Sequence, residues 1–146
     1  EEAIAHIKTH HHNPNYLSSV EFNIQKLKLT SDINEAVAYA DYIIFAIPSA
    51  FLSGELSKLT ESLNDKVIFS AIKGIVPETS LIVGEHFNKV YNIPFENIGV
   101  ITGPCHAEEV ALERLSYLTI ACGDANKAKI VAKCLSGNYI KAKISL

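Results

Sequence analysis

Between Asp41 and Pro48 the chain reads Tyr-Ile-Ile-Phe-Ala-Ile, a nearly unbroken apolar run that a proline ends. A strand with one wet face alternates polar and apolar residues, whereas a continuous run of this kind marks a strand covered on both faces. Similar short runs recur at Val67 to Ala71, Ile98 to Thr102, Leu118 to Cys122 and near Tyr139 to Ile144. Between them lie segments of helical spacing, over about Ser49 to Leu63, Thr79 to Tyr91, His106 to Glu113 and Asp124 to Leu135. Strands alternating with helices require crossover connections, and these build a largely parallel sheet. The predicted class is α/β, doubly wound and mostly parallel.

Upstream of that pattern, residues 1 to 11 predict a helix with Ala3, Ile4 and Ile7 on one side, ending before the turn-forming Asn13-Pro14-Asn15. Leu27 to Leu29 predicts a short strand. Ser31 or Asp32 is placed to cap the next helix, Glu35 to return the interaction, and Ala36, Val37 and Ala40 to face inward. No repeat, low-complexity tract or linker interrupts residues 1 to 146, so they read as a single unit.

Composition narrows the classes of function. With 48% hydrophobic residues the chain can build a core, and a formal net charge of -3 leaves no basic excess for gripping a phosphate backbone. Nucleic acid is therefore not expected as the main partner. No apolar stretch approaches the roughly 20 residues of a membrane-spanning helix, so no integral membrane segment is expected. The start, Glu1-Glu2-Ala3-Ile4, has neither the basic flank nor the apolar core of an export signal. Cys105, Cys122 and Cys134 are an odd set without metal-ligand spacing and read as reduced thiols, which makes a cytoplasmic location the expectation. Position 1 is not methionine, so the chain is expected to be a segment of a longer protein. Lys127, Lys129, Lys133, Lys141 and Lys143 read as a solvated face with no assigned role.

Two strand ends carry the chemistry. Lys73 follows the apolar run Val67 to Ile72 and precedes Gly74, so its ammonium is expected at the carboxyl edge of the sheet. There it can polarise a carbonyl or neutralise a phosphate. Gly103-Pro104 leads from another strand into a helix, whose first free N–H groups near Cys105, His106 and Ala107 form an anion cradle. A cation beside such a cradle suits a small anionic substrate. Cys105 next to His106 resembles a nucleophile pair, but successive residues at a helix start point apart and no orienting acid accompanies them. His10-His11-His12 cannot all face one ion, and a structural metal site needs about four ligands, so a solvated helix end and no metal are expected. Glu108 and Glu109 are explained by the helix macrodipole.

Three ordered motifs then carry a resemblance. Ala46-Ile47-Pro48-Ser49, Ser70-Ala71-Ile72-Lys73-Gly74-Ile75 and Thr102-Gly103-Pro104-Cys105-His106-Ala107-Glu108-Glu109-Val110-Ala111 resemble successive signatures of the NAD(P)-dependent glycerol-3-phosphate dehydrogenase family. Asn13-Pro14-Asn15-Tyr16-Leu17 resembles the segment before that family's third strand. The resemblance implies a Rossmann-like sheet and the reversible reduction of dihydroxyacetone phosphate to sn-glycerol 3-phosphate, feeding phospholipid synthesis, with NAD or NADP as cofactor. It implies that Lys73 contacts nicotinamide and substrate and acts in catalysis. It places Gly103 and Cys105 at the substrate, Ala107 near the cofactor, and Pro48 and Ser49 beside the dinucleotide. Cys105 stands where the family usually carries serine or threonine, and a thiol is the poorer donor.

The resemblance also implies pieces that these residues do not contain. No Gly-x-Gly-x-x-Gly turn occurs, so the first βαβ unit is expected to be lacking. The helical substrate domain is likewise expected outside the chain. With the first two strands removed, residues 1 to 30 are expected to be poorly anchored, and cofactor affinity of the segment alone to be weak. A homodimer is among the assemblies left open. Two other readings stay open on the residues alone: a related dehydrogenase acting on another hydroxy acid or sugar nucleotide, and a non-catalytic nucleotide-binding or interaction module.

Overall fold

A computed structural model describes residues 1–145. Seven strands and six helices occur among them: α1 (Glu2–His10), α2 (Ile33–Tyr39), β1 (Tyr42–Phe45), α3 (Ser49–Leu56), β2 (Val67–Ser70), β3 (Ile75–Val76), β4 (Leu81–Ile82), α4 (Val83–Tyr91), β5 (Ile98–Thr102), α5 (Ala107–Ala111), β6 (Ser116–Cys122), α6 (Ala125–Leu135) and β7 (Ile140–Ser145). Five strands form one sheet in the order β1-β2-β5-β6-β7, and β3 and β4 form a separate hairpin. Pairings β1 with β2, β2 with β5 and β6 with β7 are parallel, while β5 and β6 run antiparallel. The doubly wound, mostly parallel expectation holds. Its single reversal lies between β5 and β6, whose link carries only the five-residue α5.

Every residue of β2 is buried, as its unbroken apolar reading requires. Successive side chains point to opposite faces and feed two cores. Ile68 joins Val37, Leu52, Leu56, Val83, Phe87 and Ile98 on one face. Val67 and Phe69 join Ile120, Ala128, Val131 and Ala132 on the other, under α6. Gly99 on β5 lies against the Phe69 ring, which occupies the space where a Cβ would project.

Several sequence expectations need correction. Leu27 to Leu29 forms no strand; a short 3-10 turn at Ile24–Lys26 precedes it and its backbone joins no ladder, since β1 is the sheet's edge. None of residues 1–36 is buried, and of them Ile33 in α2 packs, partly buried, against the core. Asp32 caps α2 by accepting from the Asn34 amide, yet Glu35 does not return to the cap. Its carboxylate is taken instead by the Thr30 hydroxyl at 2.6 Å and Lys28 at 3.0 Å. The helix expected from Ser49 ends at Leu56. The helix expected from Thr79 begins only at Val83, because Leu81 and Ile82 pair with Val76 and Ile75. Lys127 is also not merely solvated: its ammonium donates to Asn97 Oδ1 at 2.5 Å and to the Glu96 carbonyl at 3.1 Å.

His86 on α4 is buried, with Nδ1 3.1 Å from the Thr79 hydroxyl and Nε2 without a partner. Burial holds its pKa below the ordinary value of 6.5, opposed by the negative charge of Glu78. A base whose folded pKa is lowered binds fewer protons when folded, so its destabilisation is absent above the unfolded pKa and grows as pH falls from there. Urea unfolding is therefore expected to show the protein losing stability from about pH 6.5 downward. His86→Phe, lacking the titrating group, should lose less over the same interval. Gly99→Ala, which forces a methyl into the Phe69 ring, is expected to destabilise the domain by about 1–3 kcal/mol in the same measurement.

Candidate active site

β1, β2 and β5 run parallel, so the segments that leave their carboxyl ends emerge on one rim of the sheet. Ser70 is paired with Val100. Lys73 and Gly103 each lie three residues beyond that matched pair, on neighbouring strands. Adjacent strands stand about 4.8 Å apart. Register alone therefore brings the lysine loop and the glycine bend side by side.

The lysine loop is tied down by its own backbone. The Ala71 amide donates to the Phe45 carbonyl at 2.9 Å, fastening the end of β2 to the end of β1. The buried Ser70 hydroxyl accepts from the Ile72 amide at 3.1 Å and shapes the turn. Gly74 then takes φ 90°, a left-handed conformation that disfavours a side chain, and its missing Cβ would stand 4.0 Å from Ser49 Oγ. This contact sets Pro48 and Ser49, at the start of α3, against the lysine loop. Lys73 itself is exposed.

Gly103 takes φ 122°, and a Cβ there would meet the Tyr117 carbonyl of β6 at 2.8 Å. The bend can pass over β6 only as glycine. Beyond it, the Cys105 amide is not free as the sequence suggested, because it donates to the Gly103 carbonyl at 3.0 Å. The cradle shrinks to the amides of His106 and Ala107, at the head of a five-residue helix whose His106 cap provides no side-chain bond. Cys105 is half-buried, and among the described residues no hydrogen bond links it to His106. Gly103, Pro104, His106 and Ala107 are exposed, so the rim is open to solvent.

Two contributions escaped the sequence reading. Tyr16 donates its hydroxyl to Glu108 Oε1 at 2.6 Å, joining the loop after α1 to the first turn of α5. The bond raises the Tyr16 pKa and holds the Glu108 carboxyl below its ordinary value, with further help to Glu108 from its own amide. The partners lie 92 residues apart, so no local pattern signals the pair. Phe51, in the first turn of α3, is 63% exposed, an aromatic side chain left open to solvent near the start of that helix.

No helix among the described residues is long and apolar enough to cross a membrane. Over residues 1–128 the chain matches the family described as NAD-dependent glycerol-3-phosphate dehydrogenase N-terminus. It is 32% identical over 137 residues to the NAD(P)+ glycerol-3-phosphate dehydrogenase of Macrococcus caseolyticus, covering 92% of this chain and 41% of that protein. It is 34% identical over 128 residues to the same-named protein of Thermobifida fusca, covering 87% of this chain and 38% of that one. The solved structure of Plasmodium falciparum glycerol-3-phosphate dehydrogenase shares the fold with a TM-score of 0.86 at 23% identity, over 98% of this chain and 40% of that one. The chain thus spans about two fifths of the length of these relatives. By its match over residues 1–128, this chain belongs to the NAD-dependent glycerol-3-phosphate dehydrogenase N-terminus family.

Proposed function

We propose that this chain is part of the NAD(P)-binding domain of an oxidoreductase that interconverts dihydroxyacetone phosphate and sn-glycerol 3-phosphate, with the helical substrate domain outside these residues. The observation that carries the reading is the Ser70 to Val100 pairing, which sets Lys73 and the Gly103 bend on one rim. The rim fits the nicotinamide end of a dinucleotide: it is exposed, it has glycine at two left-handed positions, and it joins three strand ends. When bound, the cofactor supplies or accepts the hydride.

The chain's own residues position and stabilise. Lys73 holds its ammonium at the substrate oxygen, where negative charge develops as the carbonyl is reduced. It serves both substrate and cofactor. Gly103 and Cys105 border the substrate, Gly103 by allowing the close backbone approach that its φ of 122° permits. Cys105, with its amide committed to Gly103, contributes shape and a weak thiol donor. Ala107 leaves its amide for the cofactor, and Pro48 and Ser49 border the dinucleotide. The small phosphorylated substrate and a cytoplasmic location belong to the same proposal, which assigns no oligomeric state.

The test uses the whole protein that carries this segment. With dihydroxyacetone phosphate and reduced nicotinamide cofactor, steady-state kinetics should show turnover. Lys73→Ala should lower kcat/KM by about 10²–10³-fold, the loss expected for one electrostatic group at a developing oxyanion. Preference for a different carbonyl substrate would overturn the substrate assignment, and an unchanged rate in Lys73→Ala would overturn the role of the lysine.

A further inference from the structure

The loop that carries Lys73 runs straight into the two-stranded hairpin, since Gly74 is followed directly by β3. Each strand of that hairpin is two residues long, with Ile75 paired to Ile82 and Val76 to Leu81. So short a ribbon has no stability of its own, and its position is set by what grips it. The same grip sets where the lysine stands, three residues before Val76.

Three anchors hold the hairpin. Val76 is fully buried in one cluster with Leu52 and Leu56 of α3 and Val83 and Phe87 of α4. On the α3 side, the Ser53 hydroxyl donates to Glu78 Oε2 at 3.0 Å, in a bond exposed to water. On the α4 side, Thr79 Oγ1 lies 3.1 Å from His86 Nδ1. The first anchor is apolar and non-directional, and the second is weakened by solvent. The third joins the turn to a buried polar side chain, so it fixes orientation.

His86 is a costly residue for its position. Its side chain is 3% exposed, it lies against the rings of Phe87 and Tyr91 with centroid separations of 6.1 and 5.7 Å, and its Nε2 finds no partner. Burying a polar atom unpaired costs stability that an apolar ring would keep. What the imidazole supplies, and an apolar ring cannot, is the bond from Nδ1 to Thr79. That bond forms in either neutral tautomer, because a hydroxyl can donate or accept.

We propose that His86 and Thr79 are positioning residues for Lys73: their bond fixes the hairpin turn on α4 and thereby sets where the ammonium stands on the rim of the sheet. The inference rests on the role given to Lys73 under the proposed function. In it neither residue touches substrate or cofactor, and both act through the lysine. Gly74 also stands beside Ser49 at the head of α3, so a turn that swings away from α4 shifts the lysine loop against the residues that border the dinucleotide.

The experiment is a double-mutant cycle in the whole protein that carries this segment, assayed with dihydroxyacetone phosphate and reduced nicotinamide cofactor. Thr79→Val keeps the shape of the side chain and removes the hydroxyl. A misplacement of about 1 Å can cost about 10²-fold, and kcat/KM is expected to fall about tenfold. His86→Phe, which fills the space without the nitrogen, should give the same loss, and adding Thr79→Val to it should cost no more. Thr79→Ser, which restores the hydroxyl, should return activity to within about twofold of the parent. In a Lys73→Ala background, Thr79→Val should cost less than about twofold, because the group it misplaces is gone. Circular dichroism and urea unfolding check that each variant is folded under assay conditions. An equal loss from Thr79→Val with and without the lysine, as a merely structural role would give, or no loss in its presence, would overturn the positioning role while leaving that of Lys73 standing. A Lys73→Ala protein as active as the parent would overturn both.

Discussion

The pairing of β2 with β5 is the constraint on which the rest of the structure depends. It places four buried residues at the centre of the sheet and separates the two cores, with Ile68 feeding one and Phe69 the other. It also aligns two strand ends in a single direction. Were this pair antiparallel, the lysine loop and the glycine bend would leave opposite edges, and neither would assist the other. Fold and candidate site thus rest on one ladder of backbone hydrogen bonds.

Around that ladder the site is built from backbone rather than from a network of side chains. The Ala71 and Cys105 amides, the Ser70 hydroxyl and two left-handed glycines shape the rim, while Lys73 remains exposed and unencumbered. Such a rim presents a cation and a few amides at low structural cost, since the loops are held by bonds that the strands supply. It also leaves one side open.

The N-terminal third behaves differently. None of its first 36 residues is buried, although Ile33 packs against the core, and polar contacts such as Tyr16 with Glu108 and Lys28 with Glu35 help to hold it. Exposed contacts of this kind contribute little individually.

Much of the fold was legible in local pattern. The unbroken run at Val67 to Ser70 declares a doubly covered strand, Asp124 caps α6 through the Asn126 and Lys127 amides, and Gly103 marks a bend. Lys73 and Gly103 could be singled out because each follows an apolar run directly. What local pattern could not supply was pairing. Leu27 to Leu29 has strand composition but no neighbour, β5 and β6 pair antiparallel, and the Cys105 amide is consumed by a carbonyl two residues back. The sequence alone determined which segments must be buried and which residue types stand at their ends, because burial and conformational preference act within a few residues. Tertiary structure alone decided which ends meet and which amides stay free, because hydrogen-bond partners are chosen across the whole chain.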